Sequence, residues 1–141
     1  MLVRLMYASR ATTPGHPEDL LAILKQSRAN NPATGITGLL CCSDNIFLQV
    51  IEGGRGSVNQ LYRRIVADPR HHDVMLLSYE EIAERDFAGW SLGQIDLARL
   101  NPALLLKYSE AAVLDPYAVS AKASLALLND LVSTASVNRQ S

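Results

Sequence analysis

Apolar residues recur along this chain with two periods, and the switches between them outline its elements. Leu2–Ser9 alternates, with Val3, Leu5 and Tyr7 on one face and Leu2, Arg4 and Met6 on the other, and reads as a strand. Ile36–Cys42 and Ile46–Glu52 are two further strands joined through Ser43, Asp44 and Asn45, which predicts a hairpin. Val74–Ile82 and Trp90–Leu97 complete the strand set. A helical period occupies the gaps. Pro17, followed by Glu18 and Asp19, opens a helix predicted over 17–30, with Leu20, Ile23, Leu24 and Ser27 facing inward and Asn30, Asn31 and Pro32 ending it. Gly53, Gly54 and Gly56 release the chain into a second helix. There Ser57 and Gln60 have the spacing of a capping box, and Val58, Leu61, Tyr62 and Ile65 form a buried stripe up to Pro69.

The element order is strand, helix, strand, strand, helix, strand, strand. It predicts an α+β fold, a ferredoxin-like βαββαββ sheet with two helices on one face. Beyond Leu97 two more helices are expected, one capped by Asn101 and Pro102 and bearing Leu104, Leu105 and Tyr108. The other opens at Asp115 and Pro116 and carries Val119, Ala123, Leu127 and Leu131. Their apolar stripes suit the sheet face that the first two helices leave uncovered. The expected organisation is therefore a sheet domain over 1–97, a helical extension over 98–133 and a flexible tail over 134–141.

One residue breaks the pattern. In Ile46–Glu52 both faces are apolar, as in a strand buried on both sides, yet Gln49 stands between Phe47 and Ile51 on one of them. A primary amide has two donors and one acceptor, and leaving such groups buried and unpaired costs about 1–3 kcal/mol each. Its partner is either a neighbouring protein group or a ligand. Tyr7 occupies the same layer, and adjacent strands lie about 4.8 Å apart, close enough for the phenol and the amide to bond directly. Ser27, Asn30 and Asn31 sit at the inner end of the first helix, and Arg64 and Asp68 on the second. Taken singly, the asparagines read as helix-terminating residues, Arg64 and Asp68 as a solvated pair four residues apart, and Tyr7 as core. Taken together, they outline a slot for a flat heterocycle with a donor and acceptor edge.

Composition narrows the field. The 141 residues carry 13 Lys and Arg against 14 Asp and Glu, a formal net charge of −1, so neither a nucleic-acid track nor an anionic membrane surface is expected as a partner. No apolar run approaches the roughly 20 residues that span a bilayer, and MLVRLMYASR lacks the core of a signal peptide, so a cytoplasmic location is expected. Adjacent Cys41 and Cys42 in an apolar strand read as small buried hydrophobes, and with three His elsewhere they make a metal site an unexpected feature.

Five separated segments in order then resemble one known family: LVRLMYASRAT, RANNPATGITGLLC, FLQVIEG, LYRRIVADPRH and FAGWSLG. Residues 1–97 are similar to a BLUF domain, a blue-light sensor using FAD. The resemblance implies FAD held non-covalently, its ring between the two helices on the sheet. It implies Tyr7 as electron and proton donor to the excited flavin, and Gln49 as the hydrogen-bond relay between phenol and flavin. Asn31 would hold the carbonyl and imide edge of the ring, supported by Asn30 and Ser27. Ile23, Phe47 and Ile65 would line the slot, Arg64 and Asp68 would meet the ribityl or phosphate groups, and His72 would close the rim, with His71 as the alternative. Trp90 matches the family's tryptophan on the last strand. The methionine that usually follows two residues later is Leu92 here, so a relay through a methionine sulfur is not expected.

Two readings compete with a photosensor. An acylphosphatase-like enzyme on the same fold would need a glycine-rich anion loop after the first strand, but Arg10 is followed by Ala11, Thr12 and Thr13. A ligand-free interaction module would leave Tyr7 and Gln49 bonded only to each other. The length leaves no room for a cyclase or phosphodiesterase domain. No enzyme activity is expected, and the output should pass to another protein or through self-association into a homo-oligomer, for which the appended helices offer apolar surface.

Overall fold

The strand that carries Tyr7 is the one the sheet is built around. In the computed structural model, which describes residues 1–13, 34–96 (backbone alone over 91–96) and 101–133, β1 (Leu2–Ala11) is buried on both faces from Val3 to Ser9. It is flanked by β3 (Ile46–Gly54) and β4 (His71–Ile82), antiparallel to both. β2 (Thr37–Ser43) pairs with β3 as the predicted hairpin, its turn taken by Asp44 at φ 52°, a left-handed conformation that a short polar side chain tolerates. β5 (Ser91–Asp96) joins β2 in parallel and completes a five-stranded sheet in the order β4-β1-β3-β2-β5. The hairpin lies close to its partner strand at Gly38. A Cβ there would fall 2.1 Å from the Val50 carbonyl oxygen, so only glycine fits.

α1 (Arg55–Ala67) follows β3 without a loop and lays Val58, Leu61 and Ile65 on the sheet. The predicted capping box is not formed. Gly54 takes the cap position without a side-chain bond, because β3 stays paired with Leu2 up to that residue, and Ser57 falls inside the first turn. The face under α1 gathers Val3, Leu5, Tyr7, Leu40, Phe47, Ile51, Val58, Leu61 and Ile65 into one cluster. The predicted helix over 17–30, with Ile23, Ser27, Asn30 and Asn31, lies outside the described residues, as does the tail over 134–141.

The opposite face is covered by the C-terminal helices, as their apolar stripes predicted. α2 (Pro102–Leu106) is capped by Asn101, whose side chain accepts from the Ala103 N–H at 2.9 Å. α3 (Ala121–Ser133) begins later than the Asp115-Pro116 signal suggested: Asp115 instead closes a turn onto the Tyr117 N–H at 3.2 Å, and Ser120 Oγ accepts from the Ala123 N–H at 3.1 Å. Leu105, Leu114, Leu127, Leu128 and Leu131 pack with Met6, Leu39, Cys41, Leu48 and Val50 of the sheet. Lys107 and Tyr108 both bond Asp130 Oδ2, at 3.0 and 2.6 Å, and fasten the two helices together.

Candidate functional site

Strand register brings the two singled-out residues together. Tyr7 and Gln49 are directly opposed on β1 and β3, both fully buried, and the phenol O–H donates to Gln49 Oε1. Only that oxygen is used. Gln49 Nε2 is buried and has no hydrogen-bond partner among the described residues, a donor of the kind that costs about 1–3 kcal/mol when left uncompensated in a closed interior. Burial first, and the neighbouring Tyr62 second, push the Tyr7 phenol far above its ordinary value, so it stays a neutral donor across the physiological range. Tyr62, half-buried on α1, lies with its ring centroid 5.7 Å from that of Tyr7 and tilted by 54°.

The other predicted residues fall into three groups. Phe47 and Ile65 share the apolar cluster around Tyr7. Arg64 is exposed near the end of α1. Asp68 caps that helix, and its carboxylate accepts from the Arg70 N–H at 2.9 Å and faces the Arg70 guanidinium, so the predicted pairing of Arg64 with Asp68 is replaced by a tight turn. His72, assigned to the rim, is exposed and registers with Arg10 rather than with the Tyr7 layer. The buried histidine is His71. Its Nε2–H donates to the Ile65 carbonyl, which can only accept, and its Nδ1 accepts from Ser9 Oγ at 2.9 Å. His71 thereby ties α1 to β1 at the end of the Tyr7 face.

Trp90 lies on the far side of the sheet, 6% exposed, in the cluster with Leu127, Leu128 and Leu131. The side chain of Leu92 is outside the described residues. Sequence reasoning overlooked a second polar constellation on that far face. Arg4 and Glu52 are opposed three rungs from Tyr7 and Gln49, and Arg4 Nε donates to Glu52 Oε2 at 2.9 Å. The signal was present in the sequence: both residues sit at apolar-face positions of strands that read as buried.

The orphan Gln49 amide N–H groups, beside a neutral phenol and under an apolar helix, fit a flat ring with acceptors on its edge. Arg10, at the end of the first strand where the enzyme reading would need its anion loop, pairs with Asp73 at 3.2 Å and lies over the Tyr117 ring at 4.2 Å. The family model for sensors of blue light using FAD matches residues 2–93. The chain belongs to the BLUF family. Among curated proteins it is 38% identical over 92 residues to photoactivated adenylate cyclase subunit beta of Euglena longa, which covers 64% of this chain and 11% of that protein. It is equally 38% identical over 84 residues to the alpha subunit of Euglena gracilis, covering 60% and 8%. The chain thus spans about a tenth of the length of these relatives.

Solved structures extend the likeness along the whole BLUF chain. BlsA in its photo-activated state matches with a TM-score of 0.84 and 29% identity over 100% of this chain and 99% of that one. BlrB in its dark state matches with 0.77 and 31% over 95% and 96%. Both are similar proteins rather than this one. The α+β architecture is shared, and FAD is the cofactor by which the family is defined. Among the described residues no His, Cys, Asp and Glu cluster could hold a metal ion, and no helix is long and apolar enough to cross a membrane.

Proposed function

We propose that this BLUF protein reads blue light through the Tyr7–Gln49 pair and passes the result to a separate protein or to a second copy of itself. FAD supplies the absorption of blue light and, once excited, an electron acceptor. Tyr7 is the electron donor, and its proton has one path within the described structure, along the bond to Gln49 Oε1. Gln49 then rotates or tautomerises, so that the atoms facing Tyr7 and the ring edge exchange donor and acceptor roles. With the electron and the proton returned to Tyr7, the altered Gln49 hydrogen bond would be the one lasting change, and it would shift the absorption of the bound FAD to the red.

Phe47 and Ile65 would line the slot, and Gln49 Nε2 would be free to donate to an acceptor on the ring edge. Asn31, with Asn30, Ser27 and Ile23, is assigned to the same ring by its family resemblance. Arg64 and Asp68, at the exposed end of α1, are assigned to the ribityl and phosphate groups. Trp90 and Leu92 belong to the output side. Residues 1–97 form the light-sensing unit, 98–133 the extension that transmits its state, and the location is cytoplasmic.

The observation that carries this reading is the buried Gln49 Nε2, which has no partner among the described residues and which a ligand-free module would have no reason to keep there. Dark and illuminated spectra of the yellow, FAD-loaded protein and of Gln49→Leu test it. A reversible red shift in the wild type that disappears in the variant is the expected result; a variant that shifts like the wild type removes the relay. Light scattering in the dark and under illumination separates the two outputs, since equal masses leave only a distinct partner protein.

A further inference from the structure

Glu52 is fully buried, and its carboxylate makes three bonds to two other stretches of chain. Oε2 accepts from Arg4 Nε on β1 at 2.9 Å and from the Asp86 N–H at 3.1 Å; Oε1 accepts from the Phe87 N–H at 2.8 Å. Arg4 is held in turn by Glu80 at 2.7 Å and Asp86 at 2.9 Å. Burial alone would lower the Arg4 guanidinium, and its bonds to Glu52 and Glu80 more than reverse this, so it stays a cation. Taking charges out of water is costly and is offset only by good geometry and further hydrogen bonds, which the contacts of Arg4 and Glu52 supply.

The segment that Glu52 grips leads directly to the output side. Trp90 N–H donates to the Phe87 carbonyl at 3.0 Å, and the Trp90 carbonyl accepts from the Gly38 N–H at 2.8 Å. Residues 86–90 are therefore hung from β3 by the Glu52 carboxylate and from β2 by Gly38. Phe87 and Trp90 pack in the cluster that holds Leu127, Leu128 and Leu131 of α3. Glu52 lies three residues beyond Gln49 on the same strand, about 10 Å away at the rise of a strand, and on the opposite face.

We infer that Glu52 is a positioning residue for signalling: its carboxylate couples the Gln49 strand to segment 86–90, so that a change at Gln49 reaches Phe87, Trp90 and α3. The inference rests on the photosensor reading. A displacement of β3 cannot leave all three carboxylate bonds unchanged, whereas an apolar side chain at the same place would let the segment stay where it is. A purely architectural Glu52 would instead affect dark and illuminated protein alike.

The test is hydrogen exchange of the FAD-loaded full chain, in the dark and under blue light, beside its absorption spectrum, for the wild type and Glu52→Gln. Wild type is expected to show the red shift and a several-fold light-induced change in exchange over 86–96 and 121–133. Glu52→Gln is expected to keep the red shift and lose the light-induced change. If the single variant fails to hold FAD, the double variant Arg4→Met with Glu52→Gln, which buries no lone charge, is read in the same way. A variant with both responses intact overturns the inference. So does a wild type that shifts its spectrum without any change over 86–96 or 121–133, and that result leaves the sensor reading standing. A wild type without a red shift refutes the sensor reading and the coupling with it.

Discussion

Two rungs of one ladder, Tyr7 with Gln49 and Arg4 with Glu52, place polar pairs on opposite faces of the same two strands. Both pairs are buried, and they are satisfied differently. Among the described residues, the Glu52 carboxylate accepts from Arg4, Asp86 and Phe87, while Gln49 has one atom bonded and the other unpartnered. Burial alone thus does not separate structural from ligand-binding polar residues; the completeness of the bonding does. The complete pair fixes chain to chain, and the incomplete one is the pair proposed to meet the flavin.

The strongest way to break this contrast is to empty the complete pair. Glu52→Leu would leave Arg4 without its buried partner and the Asp86 and Phe87 N–H groups without an acceptor. Removing one member of a buried pair costs about 3–5 kcal/mol, and urea unfolding of the flavin-free protein should show a loss of that order. A loss under about 1 kcal/mol, the range of an exposed pair, would mean that the network is ornamental. Next in size is Leu128→Ala. This residue is fully buried between α3 and the sheet, and the cavity it leaves should cost about 2–5 kcal/mol. A much smaller effect would show that the extension is only loosely docked.

How much of this was legible in the sequence follows the same division. The Tyr7–Gln49 contact could be anticipated because strand alternation and the roughly 4.8 Å strand spacing place a phenol and an amide in one layer, and register then does the rest. The C-terminal helices could be assigned to the open face because their apolar stripes needed one. Helix starts were misplaced where local cap signals competed with longer-range pairing. Ser57 has the right spacing to Gln60, but β3 runs paired up to Gly54 and the helix starts at Arg55. The Glu52 network was only half legible: Arg4 and Glu52 stand out at apolar-face positions, but Asp86 and Phe87 contribute backbone N–H groups, which leave no mark in the sequence. The sequence reading preferred His72 over His71, because burial is not legible in two adjacent identical residues; of the two, His71 is the buried one, bonded to Ser9 and Ile65.

Smaller effects are expected on the incomplete side. Tyr7→Phe leaves the whole Gln49 amide unpaired in the flavin-free protein, which should cost about 1–3 kcal/mol near neutral pH. The substitution also has a signature in alkali. Burial, then Tyr62, hold the Tyr7 phenol above its ordinary value, whereas in the unfolded chain it ionises at about pH 10. Its contribution is fully present below that pH. Above it the unfolded chain binds fewer protons than the folded one, so stability falls as pH rises toward the folded value. Stability measured from about pH 8 to about pH 11 should fall less steeply in Tyr7→Phe than in wild type. Tyr62 and Tyr117, also raised, the latter to about 12, keep the slope from vanishing. Parallel curves would mean that the phenol is not held neutral by its surroundings.

The smallest expected change is the one that sharpens the comparison most. In flavin-free protein, Gln49→Leu removes an unpartnered amide, a gain of about 1–3 kcal/mol, and at the same time takes the acceptor away from the Tyr7 O–H, a loss of the same size. The two should nearly cancel, leaving stability within about 1 kcal/mol of wild type. FAD changes the balance, because Nε2 is then bonded and its removal brings no gain. At saturating FAD the same substitution should become destabilising, through weaker FAD binding, by about 1–3 kcal/mol. Paired unfolding curves with and without FAD measure that difference directly. If Gln49→Leu were as damaging without FAD as with it, the amide would already be satisfied by the protein, and the two faces of the sheet would differ in nothing but their neighbours.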